Sequence, residues 1–317
     1  MMNPYKNATL ALLVAFSAGS CATASSHDAV GSSDVPAPPF QDELLSEETV
    51  RVSEHVWAIL GFPNIGIAVG KNATLVVDTG LGRRNGATAA KVATKLAPSN
   101  RLVLTTTHFH PEHAGGVLGF PAGTLLIRNK VQQDEMDRHG EDMIRMFAGQ
   151  NNQWKSLLAG EQLRAPDETF DRERILDLGG GVTARLLWLG PAHTQGDELV
   201  FVDPDKTLIS GDVVQNKVGP FIYGEGGTPA SWIAAVDEVA KLGPRHVVPD
   251  HSPIGDGSLV EQEKSFLVEV RDRAMALERQ GEGAQPASRQ IRAALKKKYP
   301  DWTIDNLTGF VKGVYAK

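Results

Sequence analysis

The sequence predicts an α/β protein in which two β-sheets pack face to face and helices cover their outer faces. Short β-rich runs separated by Gly, Pro and Asn fill residues 50–127, and a second strand-rich stretch spans residues 174–210. Residues with helical spacing accompany the strands in each half. Two strand-rich halves with their own helices favour two stacked sheets between helical layers.

Each predicted element follows from local composition. In the first half, strands are predicted at residues 52–60, 65–69, 74–77, 102–106 and 124–127, with a helix at 85–96 that stops before Pro98. In the second half, strands are predicted at residues 174–178, 182–188, 199–202, 207–210 and 246–249. Helices are predicted there at residues 230–242, 259–280 and 287–299.

A helical insertion is predicted at residues 130–165, where apolar side chains recur at near-helical spacing among charged ones. These apolar side chains are Val131, Met136, Met143, Met146, Phe147, Trp154 and Leu157. They either pack on the core or form a substrate cap or dimer face, because Met and aromatic side chains make adaptable pockets.

Composition excludes some partners. The chain has 317 residues, a net charge of -6 and a pI near 5.9. The chain has no net positive charge to attract a nucleic-acid backbone, so a small-molecule substrate is favoured over a nucleic acid. Hydrophobic residues make up 41% of the chain, as in ordinary globular proteins, and residues 49–317 are predicted to form one domain.

The amino terminus is predicted to direct export. Lys6 precedes an apolar core at residues 8–18 that is too short to span a bilayer. Residues 1–24 therefore read as a signal peptide, cleaved after Ala24, or as a lipoprotein signal in which Cys21 becomes a lipid anchor. Residues 25–48, rich in Ser and Pro, are predicted to be a flexible tether. The protein is expected in the periplasm or anchored to a bacterial membrane.

Four candidate metal ligands follow the predicted strand at 102–106. They are His108, His110, Glu112 and His113, and they lie within six residues. Histidine is the commonest metal ligand, and a neighbouring carboxylate suits a divalent ion. The alternative is a polar turn that is rich in histidine. Because Cys21 is the only cysteine, any metal site in the mature domain must use His, Asp and Glu.

Other polar residues also stand directly after predicted strands. They are Asp78, His193, Asp212 and His251. Loops at one edge of a sheet commonly carry functional sites. We therefore expect these side chains to lie near the histidine-rich loop.

The order Asp78, His108-x-His110-x-Glu112-His113, His193, Asp212, His251 resembles the metallo-β-lactamase superfamily over about residues 50–251. The resemblance implies a four-layer αβ/βα sandwich. It also implies that His108, His110 and His193 bind one zinc ion, and that position 112, His113 and His251 bind a second. Asp212 would bridge the two ions, and Asp78 would support the ligand loop.

Two positions distinguish this chain within the resemblance. Glu112 stands where the superfamily usually has aspartate, so it is either an altered ligand or an acid that leaves a weaker or mononuclear site. Asp212 stands where dedicated β-lactamases typically have cysteine or serine, as in the glyoxalase II and lactonase branches. This weakens the case for a β-lactam as the native substrate.

The resemblance implies an exported hydrolase that cleaves a β-lactam amide, lactone, ester or thioester with a hydroxide held between two zinc ions. Asp212 and Glu112 are the expected catalytic groups. Tyr223, on a glycine-rich loop, is a candidate hydrogen-bond donor to a substrate oxygen, unless it only packs. Iron at the same ligands, giving an oxidoreductase or dioxygenase, and a non-catalytic metal-binding protein are the alternatives.

Overall fold

The computed structural model describes residues 44–222 and 226–316. The predicted signal peptide, Cys21 and Tyr223 lie outside the described residues. Leu45, within the stretch predicted to be a tether, is buried, and its backbone N–H donates to Asn85 Oδ1 at 2.9 Å. The folded domain therefore includes residues before 49. Within residues 44–222 and 226–316, no helix combines the length and apolarity needed to cross a membrane.

The first sheet contains seven strands in chain order. They are β1 (Val50–Arg51), β2 (Val56–Ile59), β3 (Ile65–Val69), β4 (Ala73–Val77), β5 (Arg101–Thr105), β6 (Leu125–Asn129) and β7 (Glu168–Phe170). Strands β1 to β4 pair antiparallel, whereas β4 to β7 pair parallel. The carboxyl ends of β4 and β5 consequently meet at the same edge.

The second sheet contains six strands in the order β13-β12-β11-β10-β9-β8. They are β8 (Glu173–Gly179), β9 (Val182–Leu187), β10 (Leu199–Asp203), β11 (Thr207–Gly211), β12 (His246–Pro249) and β13 (Gly255–Asp256). Only β11 and β12 are parallel neighbours. Their carboxyl ends lie side by side, directly before Asp212 and Asp250.

Eight α-helices complete the described chain. They are α1 (Arg83–Leu96), α2 (Pro111–Ala114), α3 (Lys130–Ala148), α4 (Asn152–Leu157), α5 (Pro229–Leu242), α6 (Ser258–Arg279), α7 (Ala284–Lys298) and α8 (Thr308–Tyr315). Helix α5 begins with a capping box between Thr228 and Ser231 and ends at Gly243, whose positive φ suits a helix end.

Apolar packing arranges these elements in four layers. Val103 of the first sheet packs with Val200 and Ile209 of the second in a buried cluster between the sheets. Helix α1 covers the outer face of the first sheet, and α5 to α8 cover the outer face of the second. Burying a side chain such as Val103 contributes roughly 1.5–3 kcal/mol. The predicted four-layer αβ/βα sandwich is confirmed.

Helices α3 and α4 form the insertion between β6 and β7. Met136, Met143, Phe147, Trp154 and Leu157 are buried together, in a cluster that also includes residues of the histidine-rich loop. The apolar stripe of the insertion therefore packs beside the site edge rather than facing solvent.

Candidate metal centre

The histidine-rich loop begins where β5 ends and turns at once into α2. His110 has extended backbone angles and its carbonyl accepts the first hydrogen bonds of α2, with Pro111 at the first helical position. Asp78 holds the start of the loop, because its carboxylate accepts from the Thr107 N–H at 2.6 Å and from the Thr107 hydroxyl at 2.8 Å. Asp78 itself has a φ of 71°, in the left-handed region.

Three imidazoles form what we call the histidine group: His108, His110 and His193. His108 Nε2 lies 3.0 Å from His110 Nδ1, and His193 Nε2 lies 3.4 Å from the same atom. All three side chains are buried. Nitrogen atoms bound to one tetrahedral zinc ion are about 3.3 Å apart. The spacing of these donor atoms therefore fits a single zinc ion.

The loop between β9 and β10 presents His193. Asp197 holds this turn by accepting from the N–H groups of Ala192 and Thr194 at 3.1 and 2.9 Å. His193 Nδ1 lies 2.5 Å from the carbonyl oxygen of Phe221, which can accept its proton. This contact leaves Nε2 as the nitrogen that faces the other histidines.

Helix α3 supports the same loop from the other side. The Glu135 carboxylate accepts from the N–H groups of Gln195 and Gly196 at 3.0 and 2.7 Å. Gly196 must lack a side chain, because a Cβ there would lie 2.3 Å from the backbone of Gln132. The insertion therefore helps to fix the position of His193.

Glu112, His113 and His251 form what we call the mixed group. His113 Nε2 lies 3.1 Å from His251 Nε2 and 3.8 Å from Glu112 Oε1. Glu112 Oε2 is buried and has no hydrogen-bond partner within the described part of the chain. A buried carboxylate oxygen without a donor is an expected feature of a cation site. The mixed group thus also fits a metal ion.

His113 is oriented by two carboxylates. Its Nδ1 lies 3.0 Å from Asp78 Oδ2 and 3.2 Å from Asp250 Oδ2, and Thr107 Oγ1 contacts both acids. Metal-bound histidines commonly donate their other N–H to a carboxylate, which raises the basicity of the ligating nitrogen. Asp250, which sequence reasoning left without a role, therefore belongs to this support.

Asp212 lies between the two groups. Its Oδ2 is 3.4 Å from His193 Nε2, and its Oδ1 is 3.5 Å from His251 Nε2. The Gln215 amide donates to Asp212 Oδ1 at 2.7 Å, and the Ser252 hydroxyl donates to the oxygen of the same amide at 2.6 Å. One oxygen of Asp212 thus faces each group, which is the arrangement that a bridging ligand requires.

Burial keeps several of the imidazoles neutral. The pKa values of His108 and His110 are held well below the usual value by burial and by the neighbouring histidines. Burial likewise lowers the pKa of His251 to about 4. Burial also disfavours protonation of His113, but Asp78 and Asp250 raise its pKa well above the usual value. Neutral imidazoles carry the lone pairs that a metal ion needs.

The carboxyl groups of Glu112 and Asp212 differ in the direction of their pKa shifts. Burial raises the pKa of Glu112 to about 7. Burial would also raise the pKa of Asp212, yet His251, His193 and His113 hold that pKa below its usual value. Asp212 is therefore the more readily ionised of the two carboxyl groups, as its position between the two groups requires.

The structure brings all seven sequence-predicted ligands together. Within it, ligand atoms lie within 4.8 Å of one another in the histidine group, in the mixed group, and in a set that joins His108, His113 and Asp212. A family model described as the metallo-beta-lactamase superfamily matches residues 58–251. The chain belongs to this superfamily. The resemblance stated from the residues alone is thereby confirmed.

Solved structures of the metallo-beta-lactamase fold agree with this assignment. A metallo-beta-lactamase from Pontibacter korlensis is 20% identical, covers 69% of this chain and 98% of its own, and has a TM-score of 0.54. DIM-1 metallo-beta-lactamase is 17% identical, covers 70% and 97%, and has a TM-score of 0.56. At these identities the likeness shows the fold alone.

A larger protein shares the fold over more of the chain. A double mutant of the sec-alkyl sulfatase PisA1 is 15% identical and has a TM-score of 0.64, with 84% of this chain and 49% of that chain covered. No curated protein matches the sequence significantly.

Sequence reasoning missed the residues that orient the ligands. Asp250 could have been noticed, since an acid directly before His251 and after β12 stands at the same edge. The Gln215 amide and the Phe221 carbonyl have no sequence pattern that would reveal them. Their contacts depend on the path of the loop after β11.

Proposed function

We propose that this superfamily member is an exported zinc-dependent hydrolase that cleaves a carbonyl bond in a lactone, ester, thioester or β-lactam. The observation that carries the proposal is the geometry of Asp212. It presents one oxygen to each of two groups of donor atoms, and each group contains three candidate ligands. A donor set built for one ion would not need a carboxylate placed in this way.

The histidine group would hold one zinc ion and the mixed group the other, with Asp212 shared. When bound, two such ions supply Lewis acidity and lower the pKa of a bound water toward 7, which provides a nucleophile at neutral pH. The protein's own contribution is orientation. Phe221 fixes His193, the Asp78–Asp250 pair fixes His113, and Gln215 fixes Asp212.

Asp212 is also suited to orient a water molecule in the site. Its side chain is 14% exposed and that of His251 is 17% exposed, compared with 5% for His193, so Asp212 and His251 lie at the more open side of the centre. Because the pKa of Asp212 is held low by neighbouring histidines, it is an ionised hydrogen-bond acceptor at neutral pH. It can therefore accept a hydrogen bond from a water molecule and orient it.

Three aromatic side chains, Phe62, Trp154 and Phe147, lie in a row beside the candidate metal centre. Phe62 is 4.7 Å from the His251 ring and 5.7 Å from the Trp154 ring, measured between centroids. Trp154 stacks on Phe147 at 5.1 Å, and Phe147 lies 6.2 Å from His110. Phe147 and Trp154 are buried and pack behind the centre, whereas Phe62 is partly exposed beside His251 and offers an apolar contact to a substrate. Phe62 therefore favours a lactone or ester with an apolar group near the scissile bond over a highly charged thioester conjugate.

Export is part of the proposal. The apolar core at residues 8–18 and the Cys21 context support either a cleaved signal or a lipid anchor. Fractionation of cells that express the full chain, with Cys21→Ala for comparison, tests it. Membrane association that Cys21→Ala abolishes supports lipidation. A cytoplasmic product that retains Met1 contradicts export.

The hydrolase proposal is tested with a substrate panel. Zinc-loaded protein is assayed on β-lactams, acyl-homoserine lactones, aryl esters and thioesters, before and after chelation. Hydrolysis that is lost on chelation and restored by zinc is expected, with lactones or esters preferred. Activity that chelation leaves intact, or turnover only with an iron-loaded enzyme and oxygen, contradicts the proposal and favours the oxidoreductase alternative.

A further inference from the structure

The carboxyl-terminal end of the domain touches the loop that orients His193. We call residues 303–311 the C-terminal brace. The family model ends at residue 251, so the brace lies outside the matched region. It packs against residues 217–222, which follow β11 and include Phe221. The question is whether the brace only completes the core or also places a metal ligand.

The loop after β11 has little backbone pairing of its own. Its one β-bridge in the described chain joins Val218 to Thr303 of the brace. The Gly219 N–H donates to the Thr303 carbonyl at 2.7 Å, and the Thr303 N–H donates to the Lys217 carbonyl at 2.8 Å. The backbone just before Phe221 is therefore held by the brace rather than by a sheet.

Helix α8 contacts the residue just after Phe221. A Cβ added at Gly309 would lie 2.5 Å from the carbonyl oxygen of Ile222, which is closer than such atoms approach. Glycine at position 309 thus lets the helix lie directly on the loop backbone. The brace holds Phe221 from both sides, through Gly219 and through Ile222.

The brace is itself fixed in the core. Four of its apolar side chains are at most 1% exposed: Ile304, Leu307, Phe310 and Val311. They pack with α5, α6 and α7 in the cluster that covers the second sheet. Moving the brace would expose these side chains, so it can hold a loop firmly.

We propose that the C-terminal brace is a positioning element of the metal centre. It keeps the Phe221 carbonyl on His193 Nδ1, which aims His193 Nε2 at His110 and Asp212. The link to metal binding rests on the proposed function. The link between the brace and His193 stands without it, because the contact joins two groups of the protein. Loss of such supporting contacts typically weakens metal binding by about 10–100-fold.

The test compares two equal substitutions on α8 in the full chain. Gly309→Ala drives a methyl group into the Ile222 carbonyl, whereas Gly313→Ala drives one toward the Pro229 ring, which starts α5. Both raise helix propensity equally. Two readouts are measured: the NMR signal of the His193 ring N–H in metal-free protein, and zinc affinity by calorimetry.

Gly309→Ala is expected to shift or broaden the His193 signal and to weaken zinc binding at the histidine group about tenfold. Gly313→Ala is expected to leave both unchanged. An unaltered His193 signal in Gly309→Ala, or equal effects of the two variants, would overturn the proposal. If Gly309→Ala does not fold, Gly219→Ala replaces it, since its Cβ would meet Ile304 at a milder 3.3 Å.

Gly219→Ala is expected to shift the His193 signal in the same direction by a smaller amount, and an unchanged signal would again overturn the proposal. The two readouts also separate the brace from the hydrolase proposal. If the wild-type chain binds no zinc but Gly309→Ala still alters the His193 signal, the brace proposal stands and the proposed function is refuted.

Discussion

The histidine group and the mixed group differ in charge and in what supports their imidazoles. His193 of the histidine group directs Nδ1 at a neutral backbone carbonyl, that of Phe221. His113 of the mixed group directs Nδ1 at two carboxylates, Asp78 and Asp250. The mixed group also contains its own acid, Glu112, whereas the histidine group has none apart from the shared Asp212.

This difference indicates unequal metal sites. The histidine group has three imidazoles and no acid of its own, and the donor atoms of His108 and His193 lie 3.0 and 3.4 Å from His110 Nδ1. The mixed group depends on anionic partners and on a Glu112 oxygen that lies 3.8 Å from His113 Nε2. We therefore expect the histidine group to bind zinc more tightly. Charge changes around the mixed group should act mainly on the second zinc ion.

The largest expected effect is at the shared centre. His110→Ala or Asp212→Ala should lower kcat/KM below about one thousandth of wild type, about 4 kcal/mol of transition-state stabilisation, on any active substrate. His55→Ala is the control, because that imidazole bonds Asp205 just before β2, at the opposite edge of the first sheet. Retained activity in both site variants would defeat the site assignment.

Asp78→Asn tests the anionic support of His113. Asparagine tolerates the left-handed backbone at this position, so the change mainly removes charge. Affinity for the second zinc ion should fall about 10–100-fold, while that for the first changes little. Asp256→Asn, on β13 and bonded to Ser258, is the matched control. Equal weakening of both zinc ions would show that the two groups are not distinct.

Glu112→Asp tests the reach of the acid in the mixed group. The shorter arm is the one usual in the superfamily, so we expect affinity for the second zinc ion to rise about tenfold, or 1.4 kcal/mol. Calorimetric titration of both proteins measures the change. A second binding step identical to that of wild type would place Glu112 outside the ligand set.

The smallest effect on metal binding is expected at Glu198, which joins the end of β5 to Asn129. Burial raises its pKa to about 8 from an ordinary value of 4.5. The folded state keeps a proton that the unfolded state loses, so its contribution to stability is present below pH 4.5 and is lost as pH rises through about 8.

Glu198→Gln imitates the protonated acid and should flatten the fall in stability over that pH range without changing zinc titration. Urea unfolding between pH 5 and 8 measures the free energy of unfolding for both proteins. Parallel pH profiles for wild type and variant would show that Glu198 does not carry the buried proton.

The fold was predictable where strands are regular and apolar. The predicted bounds of β3 and β12 agree with the structure, and most other elements differ at their ends by a few residues. The short strands β1, β7 and β13 and the helices α2 and α8 were not predicted. β7 and β13 contain three and two residues, and α8 contains two glycines in eight residues, so local patterns are weak there.

In the metal centre, several ligands could be predicted from neighbouring residues in the sequence, whereas the residues that orient the ligands could not. His108, His110 and His113 are revealed by spacing alone, because they share one loop. The contact between Asp250 and Thr107 joins residues 143 positions apart, and the brace reaches Gly219 from Thr303. Such contacts follow from tertiary packing, which no single sequence pattern encodes.

The most direct test of two unlike zinc sites is the metal content of the purified full chain, followed by zinc titration of the metal-free protein. The account predicts close to two zinc ions per chain, bound in two steps, with the tighter step lost in His110→Ala and the weaker step altered in Glu112→Asp. No bound metal, or a single iron ion, would contradict it.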